Sequence, residues 1–451
     1  MSIQLRRDKA TSWTSINPTL AEGEFGMETD TGKIKIGDGT NTWNLLNYLA
    51  TTESPPDWSS TTQQTKLQSS DIADYDNFAH DVSISSDGNT AVVGAWATDD
   101  DGSASGSAYV FTRSGTSWSQ QAVLTGSDAA GADLNGYSVG ISEDGNTVIT
   151  GAHGKSTYTG AAYIFTRSGT SWSQQAKLTD SGGGTYDYFG FSVDISKDGD
   201  TAIVGAHNED TTATNAGSVF IFTRSGSSWS EQAQLQASDV AGYDNFGYDV
   251  AINSDGNTAV IGSYNEDEGG TNAGAAYIFT RSGTSWSQQA KLLGSDTASN
   301  DYLGQAVNIS NDGNTAIVGA PLHDAGGTDK GAAYVFTRSG TSWSQQAKLQ
   351  SSDIADYDRL GTSVALDPTG DVAIVGAIFE DEDGDNSGSA YIFTRDGTTW
   401  TQQIKLTPTD DDRGTNDQFG WCADIGTNTA IVGSHRLTSA DTGAAYVFVA
   451  G

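Results

Sequence analysis

The sequence predicts an all-β protein: a seven-bladed β-propeller of four-stranded blades, its ring closed by an N-terminal strand, preceded by a small β-rich domain. Three observations lead there. Gly94, Gly151, Gly205, Gly262, Gly319, Gly376 and Gly433 keep one beat, and Trp118, Trp172, Trp229, Trp286, Trp343 and Trp400 recur 54 or 57 residues apart. Each unit holds four short β-branched and aromatic runs parted by Gly, Asp and Asn, with no sustained helical period. An isolated copy of the fourth run stands before the first unit, and the seventh unit lacks its own.

Taken in order, residues 1–50 read as a small module of strands and Gly-Asp-Gly turns, nearly neutral in charge. Residues 51–57 form a linker whose two prolines favour extended backbone. Residues 58–451 are the propeller. In the stretch 58–67, Gln63-Gln64-Thr65-Lys66-Leu67 matches Gln174-Gln175-Ala176-Lys177-Leu178, although Trp58 lies three residues too early for a gapless match. Pairing this stretch with 443–449 would complete the last blade and cover its open edge.

Unit four shows the internal order. An Asp-bearing loop (238–247) leads to strand a (248–252), then an SDGN turn, strand b (258–262), a polar loop, strand c (274–280), an RSG turn and strand d (284–292). Four antiparallel strands cannot bury both faces alone, but seven such sheets around an axis cover one another. A linear β-solenoid is the alternative, though its rungs normally repeat at shorter intervals.

Antiparallel order puts the a–b and c–d turns at one end, and the b–c and d–a loops at the other. The first set is short and monotonous. The second is long, variable and acidic, as in 96–106, 264–274 and 378–388, while 153–160 is nearly uncharged. Variation confined to one end of a regular scaffold is what an interaction surface requires. The N-terminal module joins the short-turn end, so the variable end is expected to be distal.

Asp and Glu number 57 against 22 Lys and Arg, a net charge of −35. Such a surface repels phosphate backbones and anionic lipid, which argues against nucleic acid as a partner. No apolar run is long enough for a membrane span, and Arg6 and Arg7 are not followed by a signal-peptide core. The lone Cys422 excludes an internal disulfide and reads as a buried thiol.

No Ser-His-Asp arrangement, phosphate loop, HExxH or cysteine cluster occurs, so no catalytic residue and no enzyme activity are expected. His153, His207 and His435 share one position in three units, where Trp96, Tyr264, Pro321 and Ile378 stand in the others. They lie on separate blades, which favours packing at the loop base, or exposure, over metal ligation. His80 and His323 have no repeated partner. Calcium is the one cofactor worth asking about, because it takes several oxygens in a flexible loop. Asp381, Asp383 and Asp385 alternate around Gly384 and are the candidate ligands; Asp99 to Asp101, and Asp71, Asp74 and Asp76 with their copies Asp353, Asp356 and Asp358, are related clusters. None completes the known loop pattern with a late Glu.

Residues 68–451 resemble FG-GAP repeats, the blades of integrin-α-type propellers. Phe189-Gly190 and Phe246-Gly247 carry the first half of the motif, and Gly319-Ala320-Pro321 the second. Ala79 replaces the Gly in unit one, and Leu303 and Leu360 replace the Phe in units five and six. The resemblance implies adhesion or recognition, and Asp-rich calcium loops whose ligand spacing this chain does not keep. Residues 1–50 resemble the N-terminal domain of phage tail-fibre proteins of the major-tropism-determinant kind. The matching parts include Ile3-Gln4-Leu5-Arg6-Arg7, Trp13, Asn17-Pro18, Leu20-Ala21-Glu22-Gly23-Glu24, Gly26, Glu28 to Lys33, Ile36-Gly37-Asp38-Gly39 and Trp43-Asn44. That resemblance implies a homotrimer attached through residues 1–50 to other tail or fibre proteins of a virion. The expected function is a phage fibre or spike subunit that presents its propeller to a host-surface glycan or protein. A structural virion component (collar, adaptor or capsid decoration) is the alternative, and a glycan-active enzyme a third class.

Overall fold

The Thr-Ala-Ile-Val-Gly-Ala runs are buried at every position, whereas the Trp-bearing runs are half exposed. The first kind must therefore lie inside its sheet and the second at the rim. The structure, a computed structural model, describes residues 5–8, 12, 18–21, 24–28, 34–36, 40–43, 56–324, 326–381, 384–409, 414–437 and 441–451. It contains two units, Met1–Asp57 and Trp58–Gly451.

In the first unit Leu5–Asp8 pairs in parallel with Phe25–Glu28, which pairs antiparallel with Ile34–Ile36. Leu20 and Trp43 are buried together, and a β-carbon on Gly26 would collide with the Trp43 ring. Of the motif residues quoted above, Ile3, Gln4, Trp13, Asn17, Glu22, Gly23, Thr29 to Lys33, Gly37 to Gly39 and Asn44 lie outside the described residues, as does most of the linker.

The second unit is a seven-bladed propeller. Its inner strands begin at Phe78, Val139, Ser192, Val250, Ala306, Leu360 and Cys422, and each opens a four-stranded antiparallel sheet in the order a-b-c-d. Strand c runs further into its turn than the sequence suggested, while strand d keeps nearly its expected bounds: in blade 4 they span Ala275–Ser282 and Ser285–Leu292. The last blade is Cys422–Ile425, Thr429–Ser434, Ala444–Val449 and Thr62–Leu67. Tyr446 faces Lys66 across that final ladder, and the register shifts between Val447 and Phe448. The same shift falls between Ile278 and Phe279 in blade 4, where Tyr277 faces Lys291. The N-terminal strand thus adopts the register of an ordinary strand d, and the ring is closed. Trp58 misaligned because it precedes the strand, in a 3-10 turn Trp58–Ser60, where its ring is buried among blade 6 and blade 7 side chains.

Neighbouring blades are tied at two radii. At the rim, the Trp118, Trp172, Trp229, Trp286, Trp343 and Trp400 indole N–H groups each donate to a glutamine on the preceding strand d, at 2.8 to 2.9 Å. An arginine guanidinium lies over each of these rings, as Arg281 does over Trp286. The tryptophans are inter-blade packing, as their repeated surroundings suggested. Near the axis, strand b presses on the start of the next strand a. A β-carbon on Gly151 would collide with the Gly190 carbonyl, and Gly190 itself has φ +85°, so glycine is required on both sides of this contact.

Candidate functional site

The two ends of the propeller differ in what their side chains do. At the short-turn end, Asp144 Oδ1 accepts from Ser142 and from the Asn146 N–H, and Arg167 Nε donates to Asn146 Oδ1. Arg281 and Asn257 repeat this grip in blade 4, and Arg395 and Asp371 in blade 6. The Asp, Asn and Arg side chains of these turns are thus spent on one another, which accounts for the monotony of this end.

The loop end has a scaffold of its own. One carboxylate per blade accepts the backbone N–H three residues before it: Asp76, Asp133, Asp187, Asp244, Asp301, Asp358 and Asp417. All seven are buried. A second set spans the b–c loops, where Asp99, Asp210, Asp267, Asp324 and Asp381 each accept the N–H five residues on. The calcium candidates take their places within this set. Asp381 Oδ1 accepts the Asn386 N–H at 2.6 Å, and the Asp385 carbonyl accepts the Asn416 N–H. Asp383 lies outside the described residues.

Above this scaffold stand tyrosines. Tyr75, Tyr186, Tyr243 and Tyr357 occupy one position in the d–a loops of four blades, and all four are 55 to 63% exposed. Their φ angles are +71° to +73°. Left-handed backbone is costly for a bulky residue and suits Gly or Asn, which makes an exposed aromatic there a functional pointer. Asn300 and Asn416 fill the same position in blades 5 and 7. The sequence contained these tyrosines, but their exposure and backbone geometry were not legible from it.

Lysines from strand d rise to meet the acidic loops. The Lys291 ammonium lies 2.7 Å from Asp239, 2.8 Å from Glu266 and 2.6 Å from Glu268. These three form the one convergent group of metal-ligating type among the described residues, and a lysine already neutralises it. Lys177 pairs with Asp128, Lys348 with Asp296, and Lys405 with Asp353 and Glu380. His323 belongs to the blade 5 version: its Nδ1 meets Asp301 Oδ2 and its Nε2 meets the Lys348 ammonium, each at 2.6 Å. That partner was invisible in the sequence because it comes from a different loop.

The inner strands enclose a central cavity of about 260 Å³. At its loop-side mouth, His80, Tyr137, Phe191, Tyr248 and Trp421 form an aromatic arc, with Gln305 and Thr362 completing the ring. His153, His207 and His435 stand behind the arc: His153 is 4.3 Å from Tyr137, His207 4.2 Å from Phe191 and His435 4.1 Å from Trp421, between ring centroids. Burial holds His80 down at about 4 and His153 and His207 at about 3, so all are neutral near pH 7. The three repeated histidines are buried packing at the loop base, the first of the two readings that their blade spacing left open.

Deeper in the cavity, carboxylates clasp one blade to the next. Asp81 Oδ2 accepts the Val139 N–H and Asp249 Oδ2 the Val307 N–H. Asp194 Oδ2 accepts from Ile252, and Asp424 Oδ2 from Ile84 across the closure. The other oxygen of each accepts the N–H of its own following residue. Burial outweighs these donors and pushes Asp81 and Asp249 up to about 7 and Asp194 up to about 6. The Cys422 thiol is buried and donates to the Ala79 carbonyl at 3.2 Å.

Comparison with known proteins adds four findings. An FG-GAP repeat profile matches seven times, at residues 61–111, 118–165, 172–222, 229–279, 286–336, 343–393 and 400–448. A major tropism determinant N-terminal domain profile matches residues 3–41. The hyaluronoglucosaminidase of Streptococcus pyogenes phage H4489A is 47% identical over 49 residues, 11% of this chain and 13% of that protein. The hyaluronoglucosaminidase of Streptococcus pyogenes phage H10403 is 40% identical over 50 residues, 11% of this chain and 15% of that protein. The chain therefore spans less than a sixth of the length of either relative.

Proposed function

Since the chain belongs to the FG-GAP repeat family and carries a domain of the major tropism determinant N-terminal kind, we propose that it is a phage fibre or spike subunit whose propeller recognises a receptor on the host surface. One observation carries this most: sequence variation, most of the propeller's carboxylates and the four exposed tyrosines collect at the loop end, while the other end repeats one set of bonds. Exposed aromatics amid polar groups are typical of recognition surfaces. The first unit serves assembly with other virion proteins, as a trimer. The propeller works by binding and not by catalysis. A glycan-cleaving site needs carboxylates free to exchange protons with substrate. Both oxygens of Asp81, Asp194, Asp249 and Asp424 are instead held by backbone amides.

The test is loop replacement. Exchanging the b–c loops of blades 1, 4 and 6 for Gly-Ser loops of equal length should leave particle assembly intact and lower adsorption to host cells at least tenfold. Normal adsorption by such particles would place the protein among non-receptor structural components.

A further inference from the structure

Five blades hold a lysine ammonium in the same place. It lies 5.9 Å from the Tyr163 ring centroid for Lys177, 5.5 Å from Tyr277 for Lys291, 5.8 Å from Tyr334 for Lys348 and 5.8 Å from Tyr391 for Lys405. Lys66 of the closing strand is 5.9 Å from Tyr446. In blades 2, 4, 5 and 6 loop carboxylates take the ammonium at 2.6 to 3.1 Å. An aromatic face with converging carboxylates is a general receptor for ammonium groups.

Blade 1 keeps the receptor and lacks the lysine. Its tyrosine is Tyr109, which faces Val123 across the c–d ladder as Tyr277 faces Lys291. Asp71 corresponds to Asp239, Thr98 to Glu266 and Asp100 to Glu268 by position in the repeat. Asp71, Thr98, Asp100 and Tyr109 all line one cavity of about 620 Å³ on the loop face, together with Asp76, Asp99, Trp96 and the strained, exposed Tyr75. Burial, and then the neighbouring Asp100, Asp99 and Asp71, raise the Asp76 carboxyl above its ordinary value. Val123 itself is 39% exposed. Blade 3 also lacks the lysine but has refilled the place with uncharged groups: Phe220 replaces the tyrosine, and Gln234 Nε2 donates to Ser218 Oγ at 3.0 Å, which donates to Glu209. In blade 1 Thr98 Oγ1 donates to Ser107 Oγ, which donates to Asp100 Oδ2, as Ser389 donates to Glu380 beside Lys405 in blade 6, and the cavity beside Tyr109 and Asp71 stays open.

We propose that the blade 1 cavity binds a primary ammonium group carried by another molecule, a lysine side chain or an amino sugar, in the position that the sister blades give to their own lysine. Tyr109, Tyr75 and Trp96 supply ring faces, and Asp71 and Asp100 supply the paired charge. That the ammonium belongs to a host surface rests on the recognition reading above; the site itself does not.

The test uses the full chain, with labelled pentalysine and a labelled glucosamine pentamer as probes and their N-acetylated forms as controls. Salt of about 0.15 M screens exposed charges beyond roughly 8 Å. At least one ammonium probe should bind tenfold or more above its acetylated control, and the one that does names the source. Val123→Lys, which copies the sister blades, should fold, unfold at a higher temperature and bind both probes only as well as the controls. Val123→Thr should retain binding, and Asp71→Asn with Asp100→Asn should lose it. The proposal is overturned if the wild type does not discriminate against acetylation, or if Val123→Lys binds like the wild type. Particles carrying Val123→Lys separate the two readings: normal adsorption with lost probe binding keeps the site and removes it from attachment.

Discussion

At the residue scale, burial gives the axis two opposed responses to pH. Asp81 and Asp249 titrate at about 7 in the fold against 3.8 unperturbed. The folded state holds their protons longer than the unfolded chain does. Their contribution is therefore full near pH 4 and is lost as pH rises towards 7. Asp249→Asn keeps an acceptor for the Val307 N–H and removes the titration. Its thermal midpoint should gain on the wild type between pH 4 and 7. His207 runs the other way, titrating at about 3 in the fold against 6.5. Its stabilising effect is present above pH 6.5 and lost as pH falls towards 3. Its Nδ1 has no hydrogen-bond partner, so His207→Phe should gain on the wild type as pH falls through that range. Midpoints measured across pH check both; profiles parallel to the wild type would count against this account of the axis. The histidines' shared position was legible from the repeat. The clasp formed by Asp81 and Asp249 was not, because it joins residues 58 apart through backbone amides and leaves no side-chain pattern to read.

At the element scale, strands were legible and loops were not. A strand is encoded by which residues must be buried, and seven copies repeat the code. Loop geometry depends on partners from neighbouring loops, as with Asp301 and His323 or Asp385 and Asn416. Two predictions belong here. Trp286→Phe removes the bond to Gln232 between adjacent outer strands and should cost about 1 kcal/mol in denaturant unfolding. Tyr243→Asn relieves a left-handed tyrosine and should stabilise by about 1 kcal/mol, while adsorption of the particle falls. A tyrosine kept for packing would give the opposite stability change.

At the scale of the whole molecule, closure by the N-terminal strand decides which truncations fold. Residues 58–451 contain a complete ring, so this fragment should unfold in one cooperative transition. Removing ten residues more, to 68, strips Thr62–Leu67 from Ala444–Val449 and leaves an open edge. That fragment should unfold well below the longer one and aggregate in size-exclusion chromatography. Among the described residues no helix is long and apolar enough to cross a membrane, and the account of function rests on the loop face. The direct measurement is competition: purified 58–451 is mixed with host cells before the phage is added. The account predicts that this fragment blocks adsorption and that the same fragment with Tyr75, Tyr186, Tyr243 and Tyr357 changed to Asn does not. If the wild-type fragment coats no cells and leaves adsorption unchanged, the propeller is not the recognising part of the particle.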